Sequence, residues 1–359
     1  MRASSAAFAS ICSLACVAVA PAAGATDCAV PNSSCINDDA LWPHAGPSRF
    51  IAVGSTDTVA AGQLGFGLVT SYLSRPVPLQ VPAPGQPGSS QYVINDQANG
   101  TFLWSYGATD HLELDFALPL TFGQGGAGLQ PLTGGPSLHD TAARDLRFGV
   151  AYALVPHLRV DPDPGITAAP APGEPATPTA SNAFGLVARF EMSAPWGDRS
   201  QFASDRTAVY VPSLAADLRE GPLFFGLEFG ARLRPVTELA GARVGTELVA
   251  MAGAGWDILP HELLSATLEA WMLPTLVGQG AGAGDPLIPS EWQLAARTSP
   301  LRGGDIAVQF GGGTAIPFGG ESEISRPRMR FTLSVRWAPA GRRVDPVLPP
   351  VPPAPAEVP

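Results

Sequence analysis

From His111 to Phe122 every second residue is apolar (Leu112, Leu114, Phe116, Leu118, Leu120, Phe122), and Glu113, Asp115 and Thr121 stand between them. A strand sends alternate side chains to opposite faces, so this stretch predicts one oily and one polar face. The pattern recurs along the chain. Leu64, Phe66, Leu68 and Tyr72 alternate with Gly65, Gly67 and Ser71, and Phe102, Trp104 and Tyr106 with Thr101, Ser105 and Gly107. Further runs follow through Leu146–Leu154, Phe184–Met192, Phe225–Arg234, Glu247–Ile258 and Leu264–Met272, and the last spans Met329–Trp337. With weaker stretches near Tyr210–Arg219, Trp292–Arg297 and Ile306–Gly312, the spacing predicts about 12 strands without helices between them. That is the signature of an all-β, antiparallel up-and-down transmembrane barrel, here residues 63–338, with lipid outside and a polar lumen inside.

Connection lengths support the same reading. Short turns at Ala108–Asp110, Glu220–Pro222, Pro260–His261 and Arg302–Gly304 fall on one side, the periplasmic one in such barrels. Long connections at Arg75–Ser90, Gly123–Ala142, Trp196–Arg206, Thr275–Ser290 and Phe318–Pro327 fall on the other. Val160–Asn182 breaks the rule as a Pro- and Ala-rich insertion on the short-turn side.

The ends of the chain differ from its middle. Arg2, the apolar stretch Ala6–Ala20 and Ala23-Gly24-Ala25 form an export signal over residues 1–25. Residues 26–62, irregular and interrupted by Pro31, Pro43 and Pro47, are expected as a periplasmic N-terminal segment. Cys28 and Cys35 are the cysteines left after cleavage, and in an oxidising compartment they predict one small disulfide loop rather than a metal site. Residues 339–359 read as a Pro-rich periplasmic tail.

Charge narrows the function. A net charge of −10 offers no basic surface for nucleic acid. All 21 basic residues outside histidine are Arg. The polar strand faces carry Glu113, Asp115, Arg147, Arg189, Glu191, Asp217, Arg219, Glu228, Arg232, Arg234, Glu247, Glu269, Arg297, Arg330 and Arg336. An Arg facing lipid near the midplane costs roughly 2–4 kcal/mol, so these groups are expected to line the lumen. There they either brace the wall as Arg–carboxylate pairs or select small solutes.

Motifs for other chemistry fail in context. Gly123, Gly125 and Gly128 match a dinucleotide fingerprint but lead into Pro131 rather than a helix. His261-Glu262 begins a zinc-protease string that Ser265 ends. Ser137, His139 and Asp140 are too close in sequence to form a triad, and His111 is the only strand histidine. No cofactor and no enzyme activity are expected.

Three stretches, Leu64–Val77, Phe184–Arg219 (with A-P-W-G-D at Ala194–Asp198) and Arg328–Pro339, resemble the barrel part of deltaproteobacterial outer-membrane proteins of the OmpA family. More loosely they resemble outer-membrane transporters linked to aromatic-compound degradation. The resemblance implies a barrel in the outer membrane. In many such proteins a Pro-rich linker leads to a peptidoglycan-binding domain, whereas this chain stops at Pro359. The expected function is a passive channel for small solutes, with outer-membrane lipid and the barrel-assembly machinery as partners. The competing reading is a structural or adhesive barrel with a plugged lumen, working through its loops or tail.

Overall fold

The computed structural model describes residues 28, 32–83, 88–156, 159–160, 183–259, 262–278, 287–299, 305–318, 324–339 and 342–343. The signal stretch, most of the 160–182 insertion, the turns at Pro260–His261 and Arg302–Gly304 and nearly all of the Pro-rich tail lie outside the described residues.

Twelve long strands build the wall: β1 (Leu64–Pro82), β2 (Ser90–Gly107), β3 (Leu112–Gly125), β4 (Leu146–Val155), β5 (Phe184–Ala194), β6 (Val209–Glu220), β7 (Leu223–Arg232), β8 (Glu247–Leu259), β9 (Leu264–Met272), β10 (Ser290–Thr298), β11 (Ile306–Ala315) and β12 (Met329–Trp337). Each pairs antiparallel with its sequence neighbours. The last strand closes on the first, from Phe66↔Trp337 to Ser74↔Met329. Closure removes both edges, so the ladder hydrogen bonds of the wall are satisfied within the wall.

Alternation decides which face is which. Along β12, Met329, Phe331, Leu333, Val335 and Trp337 are exposed while Arg330, Thr332, Ser334 and Arg336 are buried. The apolar residues are therefore the outer ones, the reverse of a soluble protein. Leu227, Phe229 and Phe310 are about 60% exposed, at 60%, 61% and 60%. Aromatic neighbours run across the outer face, Trp104 to Phe116 and Phe116 to Phe148, with centroids 5.3 Å apart in each pair. Such a continuous apolar belt on a closed barrel has one stable solvent, the hydrocarbon core of a bilayer.

The strand boundaries follow the pattern closely except at one connection. Arg75–Ser90 is not a loop, because β1 continues to Pro82 and β2 begins at Ser90, forming a ribbon beyond the barrel rim. Arg75 (φ 52°), Pro76 and Pro78 fall at two register shifts, where a missing ladder N–H is tolerated. Val77, Val81, Val93 and Ile94 of the ribbon bury against Phe202 and Leu239 from other long connections. The long connections thus fold over one mouth of the barrel and pack there.

Candidate functional site: the filled lumen

The described part of the expected periplasmic segment, residues 32–62, does not lie apart from the barrel. It enters at the long-connection mouth, where the Ser33 amide donates to the Glu238 carbonyl (3.0 Å) and Asn32 bridges to Leu239. It leaves at the short-turn rim, where the Ala60 amide donates to the Pro339 carbonyl (2.9 Å) and the Gly62 amide to that of Gly107 (2.7 Å). Between these points nearly every residue is buried, including Asp38 (0%), His44 (4%) and Ile51 (1%). The expectation of a separate segment is corrected on physical grounds. Pro43 and Pro47 keep this stretch out of any ladder, which leaves its amides and carbonyls free to satisfy the charges of the wall.

Many of the bonds are to the segment's main chain. Glu269 accepts from three successive amides, Ile51 (2.9 Å), Ala52 (2.7 Å) and Val53 (3.2 Å). Glu228 accepts from Gly54 (2.8 Å) and Glu113 from Val59 (2.6 Å). Arginines take the carbonyls: Arg232 donates to Ala40 (2.8 Å), Arg147 to Pro43 (2.9 Å), Arg336 to His44 (3.0 Å) and Arg189 to Ser55. Gln309 donates to the Arg49 carbonyl (2.9 Å).

Other bonds are specific to side chains. His44 sits between two carboxylates, with Nδ1 2.9 Å from Glu191 and Nε2 3.1 Å from Glu228. With both carboxylates ionised, each ring nitrogen must carry a proton to donate to its partner. Trp42 donates its indole N–H to Glu191 and lies under the Arg147 and Arg232 guanidinium groups, 4.5 and 5.1 Å from its ring. Phe50 occupies a slot made by glycine: a Cβ at Gly226 or Gly253 would come within 2.7 or 2.6 Å of its ring. Phe224 packs beside it, with centroids 5.4 Å apart. Arg49 pairs with Asp257 and Glu262, Asp57 with Arg219 (2.9 Å), Asp38 with Arg144 (2.8 Å) and Asp39 with Arg330 (2.9 Å).

All fifteen residues expected in the lumen stand on inward-facing positions, buried or half-buried. A self-contained ladder of wall pairs describes only some of them. Arg330 grips Glu291 through Nε (2.7 Å) and Nη2 (2.9 Å). Arg234 pairs with Glu247 (2.7 Å), Arg219 with Asp217 (2.8 Å) and Arg297 with Glu262 (3.0 Å), while Asp115 lies 3.9 Å from Arg189. The others turn to the segment. Sequence reasoning missed the segment's partners, Asp38, Asp39, Trp42, His44, Arg49, Phe50 and Asp57, and also Arg144 and Glu291. The available signal was a run of charged and aromatic residues without period beside a wall carrying charges of both signs.

Cys28 and Cys35 are disulfide-bonded, their Cα atoms 5.3 Å apart. Near this mouth, in the connection before β4, Asp145 accepts from Ser204 Oγ and from the amides of Asp205 (2.9 Å) and Gly197 (3.0 Å). Burial pushes its carboxyl up to about 6 against the pull of those bonds. Two of the remaining cavities, one beside Arg49 and Arg336 and one beside Asp115 and Arg147, have room for about one water each. His111 and His139 make separate contacts, His111 Nδ1 with the Ala153 carbonyl (2.9 Å) and the His139 amide with Gln201.

Wall, belt and filling together define a closed transmembrane β-barrel whose lumen is occupied by its own N-terminal segment. No protein-family model matches the chain, and no curated protein matches it. Among solved structures, the COG4313 outer membrane channel from Pseudomonas putida F1 is similar over 79% of this chain and 98% of its own, at 15% identity and a TM-score of 0.47. The NanC porin is similar over 77% and 99% (8% identity, TM-score 0.43) and the KdgM porin over 76% and 98% (7%, 0.40). None of these three reaches a TM-score of 0.5, so the assignment of the barrel rests on the strand pairing of this chain.

Proposed function

We propose that this chain is an outer-membrane channel for small polar solutes, held closed by residues 32–60. One observation carries the reading: the wall closes through its own ladders, and the segment between Asn32 and Ala61 contributes no strand to them. It can leave without costing the barrel a ladder hydrogen bond, and it would uncover a wall of Arg and carboxylate side chains suited to polar cargo. The short turns then face the periplasm, as is usual for such barrels. Insertion by the barrel-assembly machinery and kinship with OmpA-family barrels belong to the same proposal.

Planar-bilayer recording tests it. The wild-type protein is expected to give rare, brief openings, and Trp42→Ala or Phe50→Ala longer ones. Folded barrels that never conduct, wild type and both variants alike, would instead favour the structural reading. That second reading has its own support in the clip at the long-connection mouth, where the segment bonds to Glu238 and Leu239 close to the Cys28–Cys35 loop.

A further inference from the structure

The contacts between wall and segment also indicate what else the lumen can hold. Arg147, Arg189, Arg232 and Arg336 donate to carbonyls of the segment, while Glu269 and Glu228 accept from four consecutive amides, Ile51 to Gly54. A simple anion would meet the carboxylates and a simple cation would meet the arginines. A chain that offers donors and acceptors in alternation, one pair per residue, satisfies both sets. These bonds ignore side-chain identity. Selectivity comes instead from the Phe50 slot, whose glycine floor at Gly226 and Gly253 admits a flat ring directly before the run of amides.

The geometry points to a peptide-binding lumen: a peptide that bends so that successive amides converge on one carboxylate, with an aromatic residue followed by small or aliphatic residues, is the ligand class that competes with residues 48–56. The inference rests on the channel reading in that the segment must vacate its seat. It goes further by naming what then enters. Hydroxyl-rich carbohydrates also combine donors and acceptors, but three successive N–H groups on one carboxylate are a main-chain arrangement.

The test uses the full chain carrying Phe50→Ala, with Trp42→Ala as the second variant should the first fail to fold. The probe is a synthetic nonapeptide with the sequence of Ser48 to Thr56. It should block the current through the variant and, when fluorescently labelled, bind it in detergent. N-methylation at the positions of Ile51, Ala52 and Val53 removes the three donors and should weaken both block and binding about tenfold or more. Shuffling the aliphatic residues behind the aromatic one should change little. A methylated peptide that binds as well as the parent overturns the inference. So does maltotriose blocking at equal concentration, or a parent peptide that neither blocks nor binds. A silent bilayer with intact peptide binding would sink the channel reading and leave the peptide site standing.

Discussion

Arg330 has a side chain only 1% exposed, and it contacts two carboxylates, Glu291 from β10 and Asp39 from the segment. Removing one partner of a buried ion pair strands the other charge in a medium that solvates it poorly. Arg330→Met is therefore expected to cost about 3–5 kcal/mol, read from urea unfolding of the barrel in micelles. Adding Glu291→Leu should recover part of that loss, since one of the stranded charges is then gone. Asp145 carries a different kind of tension. Its folded-state value of about 6 lies above the ordinary 3.8, so the folded protein holds the proton more tightly than the unfolded chain. Its contribution to stability is full below about pH 4 and is lost as pH rises through about 6. Asp145→Asn should flatten stability between those limits; an unchanged slope in the variant would assign the titration elsewhere.

At the scale of elements, strand and segment were unequally legible. Each wall strand separates two solvents, lipid and lumen, so period two appears in its residues and β12 can be read residue by residue. The inward charges at Glu269 or Arg232 were equally visible, because lipid rejects them. Residues 32–60 are surrounded by protein on all sides and face no solvent boundary, so their sequence carries no period. Their partners lie far away in sequence, 54 residues separating Val59 from Glu113 and 218 separating Ile51 from Glu269, and no local pattern could pair them. The hairpin Thr237–Leu239 with Ala242–Val244 that receives Ser33 escaped notice for a related reason: its strands are three residues each and its turn is Ala240-Gly241. Hydrogen exchange can check the element directly. The amides of Ile51, Ala52 and Val53 should be protected like those of the wall although they belong to no strand. Glu269→Gln should speed their exchange about tenfold or more, with the amides of β12 unaffected.

For the whole molecule, the apolar belt settles which environment the barrel requires. Leu227→Arg or Phe229→Arg places a cation on lipid and is expected to cost about 2–4 kcal/mol if the site lies near the midplane. Refolding into vesicles should reveal this cost, while the same variants in denaturant should behave as wild type. A lipid-facing Arg without effect would contradict the orientation of the wall.

The two ends of residues 32–60 lie at opposite mouths of a ring that is sealed where β12 meets β1, which makes the topology that of a thread through a hoop. Such an object has an order of construction. Either the wall is rolled around a segment already lying along its axis, with the β12–β1 seam fastened last, or the thread is passed through a finished hoop. In the first case the segment acts as a mandrel, presenting counter-charges to each new strand before lipid surrounds it. Glu269, Arg232 and Arg336 would then record an assembly sequence as much as a resting state.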